Sequence, residues 1–412
     1  MNRLVLIGNG FDLAHRLPTS YEDFINWYWR YRVDILQYER TNLSDDKLCK
    51  FIDSRNQGWD VTIGMGLNPK RYASPQVFIE HLRSYSFFKF EMSSFMNSIC
   101  QNIKEKGWVD IENEYYKNLI FYALEESIND VAKYLYLKSL NDQLDYLREL
   151  LARYLSDVCI SGVDQIESIY NAIYAPIQTK DIASTEKKHM DEHVAYWNKQ
   201  DYLALKRRKG QFLIKPNNCL EQIKKNLGQP LSAISTICNG DYPLLLRLPN
   251  SIKILNFNYT ATPLNYLNKT IATINYIHGE IDNPSAMIFG YGDEIDERFP
   301  KLKELNDKES LRNVKSIRYL EAANYRDLLS FINAEPFQVL IMGHSCGNSD
   351  RTLLNTIFEH PNCVSIKPYY YQKTDGTDDY LEKVQNISRN FTDMKLMRDR
   401  VVNKTQCEPL TK

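Results

Sequence analysis

The stretch LVLIGNGFDLAH, residues 4–15, limits the fold more than any other part of the chain. Apolar residues Leu4 to Ile7 run without a polar break into Gly8-Asn9-Gly10, and helix-compatible Phe11-Asp12-Leu13-Ala14-His15 follows. An unbroken apolar run, rather than an alternating one, suits a strand covered on both faces, as in a parallel sheet under helices. Two glycines at its end allow a tight strand-to-helix turn, the means by which α/β proteins present backbone N–H groups to a phosphate. A tight turn with nothing bound fits the same residues, because a lone G-x-G is a weak signal.

Further strand-like runs are SIKILNFNY (251–259), TINYIHG (273–279), AMIFGYG (286–292), PFQVLIMGHS (336–345) and CVSIKPYYY (363–371). Helix-compatible LNYLNK and DRTLLNTIFEH separate some of them. The middle differs: Leu140, Leu144, Leu147, Leu151, Leu155 and Val158 recur at helical spacing and predict one buried stripe of a long helix. NEYYKNLIFYALEESINDVAKYLYL and EDFINWYWRYRVDILQY have the same character, so about 200 mostly helical residues part the first strand from the rest. The neighbourhood of Asn42 to Lys70, with NLSDD and RNQGWD, reads as loop. The expected fold is α/β: a doubly wound, mostly parallel sheet interrupted by a large helical insertion. Residues 1–30 would hold the first strand, glycine turn and helix, 31–245 the insertion, and 246–412 the remainder of the sheet domain.

Lys plus Arg total 51 against 52 Asp plus Glu, a formal net charge of -1, so no whole-chain field steers the protein to nucleic acid or anionic lipid. The run Lys206-Arg207-Arg208-Lys209 is the local exception and reads as a solvated helix face. Cysteines at 49, 100, 159, 219, 238, 346, 363 and 407 lack the close spacing of zinc knuckles, and no metal is expected. His189 and His193 in HMDEH stand four apart within a charged run and read as a solvated face. The apolar run after Met1-Asn2-Arg3 is too short for a secretory signal, and no stretch of about 18 uncharged apolar residues is present, so the expected location is cytoplasmic, without a membrane partner.

In an open parallel sheet, ligands bind at the carboxyl ends of the strands. The residues there form a consistent polar set: Gly8 to Asp12, Asn256 to Thr260, His278-Gly279, Gly290 to Asp293, and Gly343-His344-Ser345 with Asp350. A dehydrogenase fingerprint fails, because Leu13 stands where the third glycine belongs and Trp27-Tyr28-Trp29-Arg30 replaces the second strand with its acidic end. Neither a P-loop nor a G-x-S-x-G elbow occurs.

GNGFDLAHRLPTSYEDF, WVDIENEYY, NFNYTATPLNYL, INYIHGEI, IFGYGDE and GHSCGNSDRTLL together resemble the AbiH family of phage abortive-infection proteins over most of the chain. Within that likeness, the strand-end motifs resemble the NAD-binding core of sirtuins, which implies a Rossmann-like, sirtuin-like sheet domain. Gly8-Asn9-Gly10 with Leu17-Pro18 is similar to the sirtuin Gly-Ala-Gly and Ile-Pro elements, Asn258-Tyr259 to the asparagine motif, His278-Gly279 to the catalytic His-Gly, and Gly343-His344-Ser345 to the Gly-Thr-Ser segment. The chain departs from the pattern at Arg16, where glycine is usual, and at Thr260, where aspartate is expected; Asn256 offers a rival register to Asn258. The zinc cysteines of deacetylating sirtuins are missing, which leaves cleavage of NAD itself.

The resemblance implies Asn258 and His278 as catalytic residues, and Gly8, Asn9, Gly10, Phe11, Asp12, Pro18, Gly343, Ser345 and Asp350 as the binding set for NAD, here a substrate. Expelling neutral nicotinamide from a ribosyl pyridinium needs no acid, unlike an ordinary glycoside. The site needs a phosphate cradle, stabilisation of an oxocarbenium-like ribose and a positioned nucleophile. Asn258 would orient the water or a ribose hydroxyl, and His278 would take its proton. Backbone donors at 8–10 would hold the pyrophosphate, Asp12 the ribose hydroxyls or the nicotinamide end, and Ser345 and Asp350 the adenosine ribose, with helix capping as the alternative for Asp350. His344 would stand behind the site. Trp108, Asp110 and Glu112 resemble a family feature with no assigned mechanism, favourable acids at a helix start being the plain reading. The expected function is an antiphage effector that hydrolyses NAD and so depletes the cell of it, with a phage-derived trigger and assembly into a homo-oligomer as its expected control. The alternatives are a non-catalytic nucleotide sensor signalling through the insertion and a nuclease, for which the insertion offers no paired acid or histidine constellation.

Overall fold

The computed structural model describes residues 1–38, 46–53, 81, 84, 88–106, 109–159, 162–212, 229–230 and 241–411. The opening apolar run is strand β1 (Asn2–Ile7), buried at every position. An antiparallel pair of β2 (Cys49–Asp53) and β3 (Phe88–Met92) follows, then β4 (Ile252–Asn256), β5 (Ala272–Tyr276), β6 (Phe337–Met342) and β7 (Cys363–Tyr369). β1 and β4 to β7 form one five-stranded sheet in the order β5-β4-β1-β6-β7, with every pairing parallel. β4, β6 and β7 are buried throughout, as unbroken apolar runs under helices should be, whereas edge strand β5 exposes Thr273.

Register sets the working edge. Ile7 pairs with both Asn256 and Met342, Asn256 with Tyr276, and Met342 with Tyr369, so all five strands end at one level. On one face Val5, Ile7, Ile252, Ile254, Leu340 and Met342 pack in a single cluster with Ile169, Ile173, Met190, Val194 and Leu205 from following helices.

The chain divides into two compact units, one of Met1–Arg16, Ser161–Glu280 and Tyr319–Lys412, the other of Leu17–Ile160 and Ile281–Arg318. These limits differ from 30 and 245. The helices over Glu167–Tyr174, Lys187–Asn198 and Tyr202–Gln211 belong to the sheet unit because their apolar faces fill its core. His193 is accordingly buried, with Nδ1 2.9 Å from the Met1 amine and Nε2 2.8 Å from Leu248 O, and burial pushes it down to about 3; only His189 fits the solvated face expected of HMDEH.

The second unit is mostly helical and holds the β2–β3 pair, with helices Tyr21–Tyr38, Ser94–Lys106, Ile111–Leu124 and Asp130–Val158. Leu140, Leu144, Leu147, Leu151 and Leu155 form the predicted buried stripe, while Val158 is only partly buried. Cys49–Asp53 is a strand where loop was expected, and RNQGWD lies outside the described residues.

AMIFGYG is not a strand: after a short turn of helix at Pro284–Ala286, a single bridge joins Tyr291 to Val314. Glu112 explains why. Its Oε1 accepts the Gly290 N–H at 3.0 Å and its Oε2 pairs with Lys315 Nζ at 2.9 Å, while Tyr291 stacks on Tyr116 at 3.7 Å. Backbone groups that a strand would spend on a ladder are thus taken by a side chain and a neighbouring loop. Asp110 is an N-cap, accepting the Asn113 N–H, and Trp108 lies outside the described residues. Glu112 and Lys315 are both buried, so removing one partner strands a charge. Glu112→Ala is expected to destabilise by about 3–5 kcal/mol, read as a lower urea midpoint, with much of the loss recovered in Glu112→Ala/Lys315→Met.

Candidate functional site

Strands that end at one level deliver their following residues to one rim, and the turn after β1 meets the turn after β6 there. Gly10 N–H donates to Gly343 O at 2.8 Å, and Phe11 N–H to Gly8 O at 2.8 Å. A Cβ on Gly343 would lie 2.0 Å from Phe11 N, one on Gly10 2.8 Å from Gly343 O, and one on Gly8 2.6 Å from His344 Cα. The glycines answer first to this loop-on-loop packing, and the Gly10 and Phe11 donors are spent within it. Gly343 also needs its freedom at φ 75°. Arg16, in the position where glycine was expected, holds a left-handed φ of 62°, so the backbone keeps the glycine path without the glycine.

The turn after β4 is built by its own asparagines. Asn256, fully buried, accepts the Asn258 N–H at 3.1 Å and donates to Thr260 O at 3.0 Å, an Asx turn that uses up its amide. Asn258 Nδ2 donates to Gly8 O at 3.0 Å, which ties this turn to the first and fixes the amide. Its carbonyl oxygen accepts no hydrogen bond among the described residues. Thr260 Oγ1 donates to Asp12 Oδ2 at 2.6 Å, so the threonine that replaces an expected aspartate avoids a second buried carboxylate beside the first. Asp12 Oδ1 is buried without a partner, and burial pushes this carboxyl up to about 6.

The centre of the rim is a carboxylate between two imidazoles. Asp350 Oδ1 lies 3.2 Å from His278 Nε2, and Oδ2 lies 3.6 Å from His344 Nε2. Asp350 opens the helix Arg351–Phe358 yet makes no side-chain cap, so neither capping nor a free carboxylate describes it. His278 Nδ1 is 3.3 Å from Phe257 O, the carbonyl just before Asn258, and Tyr319 Oη is 3.1 Å from Nε2. The Phe257 ring stands 4.1 Å from the His344 ring and 5.3 Å from that of His278. Cys346 N–H donates to His344 Nδ1 at 2.9 Å, which leaves the His344 proton on Nε2, toward Asp350. Cys346 holds a left-handed φ of 55° with its carbonyl accepting from Asn390 Nδ2, and burial pushes its thiol up to about 12, so it is no thiolate nucleophile.

Asn258, His278, Asp12, Gly8, Gly10, Gly343 and Asp350 therefore come together. Asn258 and His278 are 9 % and 4 % exposed, while Asn9 and Ser345 are exposed at the border. Phe11 is core, packed 5.2 Å from the Tyr266 ring. Pro18 falls in the helical unit, where its carbonyl accepts from Tyr154. Gly290 to Asp293 also belong to that unit. Sequence reasoning missed Tyr319, which follows no strand run, and the bridging role of Asp350. In the basic run, Arg208 is buried, donating to Leu245 O and Leu248 O with its guanidinium 3.6 Å from the Trp197 ring centre, so it serves packing. Among the described residues no three His, Cys, Asp or Glu side chains are placed to hold a metal ion, and no helix is long and apolar enough to cross a membrane.

The model of one protein family, described as bacteriophage abortive infection AbiH, matches residues 4–371. Searches of curated proteins and of solved structures return no match.

Asp12 carries a pH signature. Its folded-state value of about 6, against 3.8, means that the fold keeps the proton over this window while the unfolded chain releases it. Stability from this group is highest below the window and falls as pH rises through it, by about 3 kcal/mol in all. Asp12→Asn, uncharged and still able to accept from Thr260, is expected to melt higher than the parent at pH 7.5, the two melting curves converging near the acid end of the window. Equal melting temperatures at pH 7.5 would contradict a burial-raised carboxyl.

Proposed function

The chain belongs to the AbiH family of bacteriophage abortive-infection proteins, and from that premise we propose that it binds NAD at the rim and hydrolyses the nicotinamide–ribose bond. The observation that carries this is His278, with Nε2 on the Asp350 carboxylate and Nδ1 facing the Phe257 carbonyl. Whichever nitrogen carries the resting proton, the other is the basic one. A proton arriving there completes an imidazolium whose two N–H groups point at a carboxylate and a carbonyl, the arrangement a general base needs.

Read within the sheet alone, the strand order is 3-2-1-4-5, the order of dinucleotide-binding doubly wound folds, in which the ligand lies where the order reverses, here beside β1. This order and the turn motifs support the Rossmann-like, sirtuin-like description. Among the expected binding residues, exposed Asn9 and Ser345 would face the pyrophosphate, since the Gly8 and Gly10 N–H groups are taken by Met342 O and Gly343 O, and the unpartnered Oδ1 of Asp12 would take a nicotinamide N–H or a ribose hydroxyl. The uncommitted carbonyl of Asn258 would orient water at the ribose carbon. As that C–O bond forms, the C–N bond breaks, its electron pair neutralises the departing pyridinium, and His278 takes the proton of the water. ADP-ribose, nicotinamide and a proton result, with no acid required for the leaving group.

An enzyme that empties the NAD pool of its own cytoplasm must be held in check, so activation by a phage-derived trigger and assembly of a homo-oligomer belong to this proposal. Free nicotinamide is the direct readout. With NAD and phage lysate, release is expected to fall at least about 100-fold in both His278→Ala and Asn258→Ala. Release that survives both substitutions would remove these residues from the reaction, and NAD binding without release by the parent would make the chain a nucleotide sensor.

A further inference from the structure

A cavity of about 630 Å³ lies against one face of the sheet, walled by the helix Glu167–Tyr174 and residues 406–410. None of the rim residues lines it. Its floor includes Arg3 and Gln338, paired across β1 and β6 near the opposite ends of those strands from Gly8 and Gly343. The volume is that of a small-molecule site.

Its polar lining is incomplete in one particular way. Arg3, 2 % exposed, donates from Nη1 to Ile173 O and Ala175 O and from Nη2 to Gln338 Oε1, while its Nε–H has no partner. Asp181, 5 % exposed, pairs through Oδ2 with Lys367 Nζ at 2.9 Å, while Oδ1 has none. Gln406 Oε1 is likewise buried and unpaired. The side chains that carry these two acceptors and this donor all line the same cavity, and native interiors rarely leave such groups unanswered. Charge on the lining balances: Arg3, Lys180 and Lys367 against Glu167, Asp181 and Glu408. A polyanion such as a nucleotide has no net field to hold it there.

We propose that this cavity binds a small zwitterion with an ammonium and a carboxylate on one carbon, the group common to α-amino acids. The ammonium answers Asp181 Oδ1 and Gln406 Oε1, the carboxylate answers Arg3 Nε–H, and the net charge of zero matches the lining. Ile169, Ala172 and Leu340 supply an apolar wall for a side chain. This goes beyond the NAD reading and does not depend on it.

The test is thermal shift and calorimetry on the full chain with each of the standard L-amino acids, L-phenylalanine being compared with phenethylamine and 3-phenylpropionate and any other binder with its own amine and acid. At least one amino acid is expected to raise the melting temperature, and its one-charge analogues to bind at least about 100-fold more weakly. Gln406→Leu, whose side chain makes no hydrogen bond to lose, and Ala172→Phe, which fills the space, should both abolish the shift and leave nicotinamide release unchanged. No shift with any amino acid, a shift that persists in Ala172→Phe, or binding of guanosine in place of amino acids would overturn the proposal.

Discussion

Two turns pressed backbone against backbone hold the rim together. Gly8 and Gly10 after β1 meet Gly343 and His344 after β6 so closely that a Cβ at Gly343 would sit 2.0 Å from Phe11 N. No side chain fits between them, and rotamer changes cannot relieve a backbone clash. The rest hangs from this contact. Gly8 O holds Asn258, the carbonyl before Asn258 faces His278, and Asp350 ties His278 to His344, which itself lies against Gly8. Separating the two turns would part the amide from the imidazole.

The rim carries features that cost stability. Cys346 takes a left-handed backbone in the loop that bears His344, Asp12 keeps a buried carboxyl with one oxygen unanswered, and a second buried carboxylate lies between two imidazoles. A working group must be held in a state that a relaxed chain would avoid, and under the NAD proposal these are such states. The helical unit uses buried charge differently. Glu112 is fully engaged by Lys315 and the Gly290 N–H, which suits a structural brace.

The sheet was legible because its strands are unbroken apolar runs, a pattern set by burial on both faces and therefore local in the sequence. AMIFGYG carries the same local pattern and is no strand, since its backbone is claimed by Glu112, a residue about 180 positions away that no periodicity reveals. The rim could be anticipated at Gly8, Asn258, His278 and Gly343 because strand ends converge in an open parallel sheet. The task of Asp350 could not. An aspartate opening a helix reads as a cap, and only the fold turns its carboxylate toward two rings from other loops. Tyr319 had no sequence signal at all, reaching His278 from a segment without strand character.

Family membership places the chain among abortive-infection proteins, and the NAD proposal gives that membership a chemical form. Hydrogen–deuterium exchange with carba-NAD, whose nicotinamide bond resists cleavage, tests that form most directly. The account predicts slowed exchange in the segments 7–15, 256–262 and 343–351 on adding carba-NAD, all three together. Unchanged exchange in those segments, or slowing confined to another part of the chain, would contradict it.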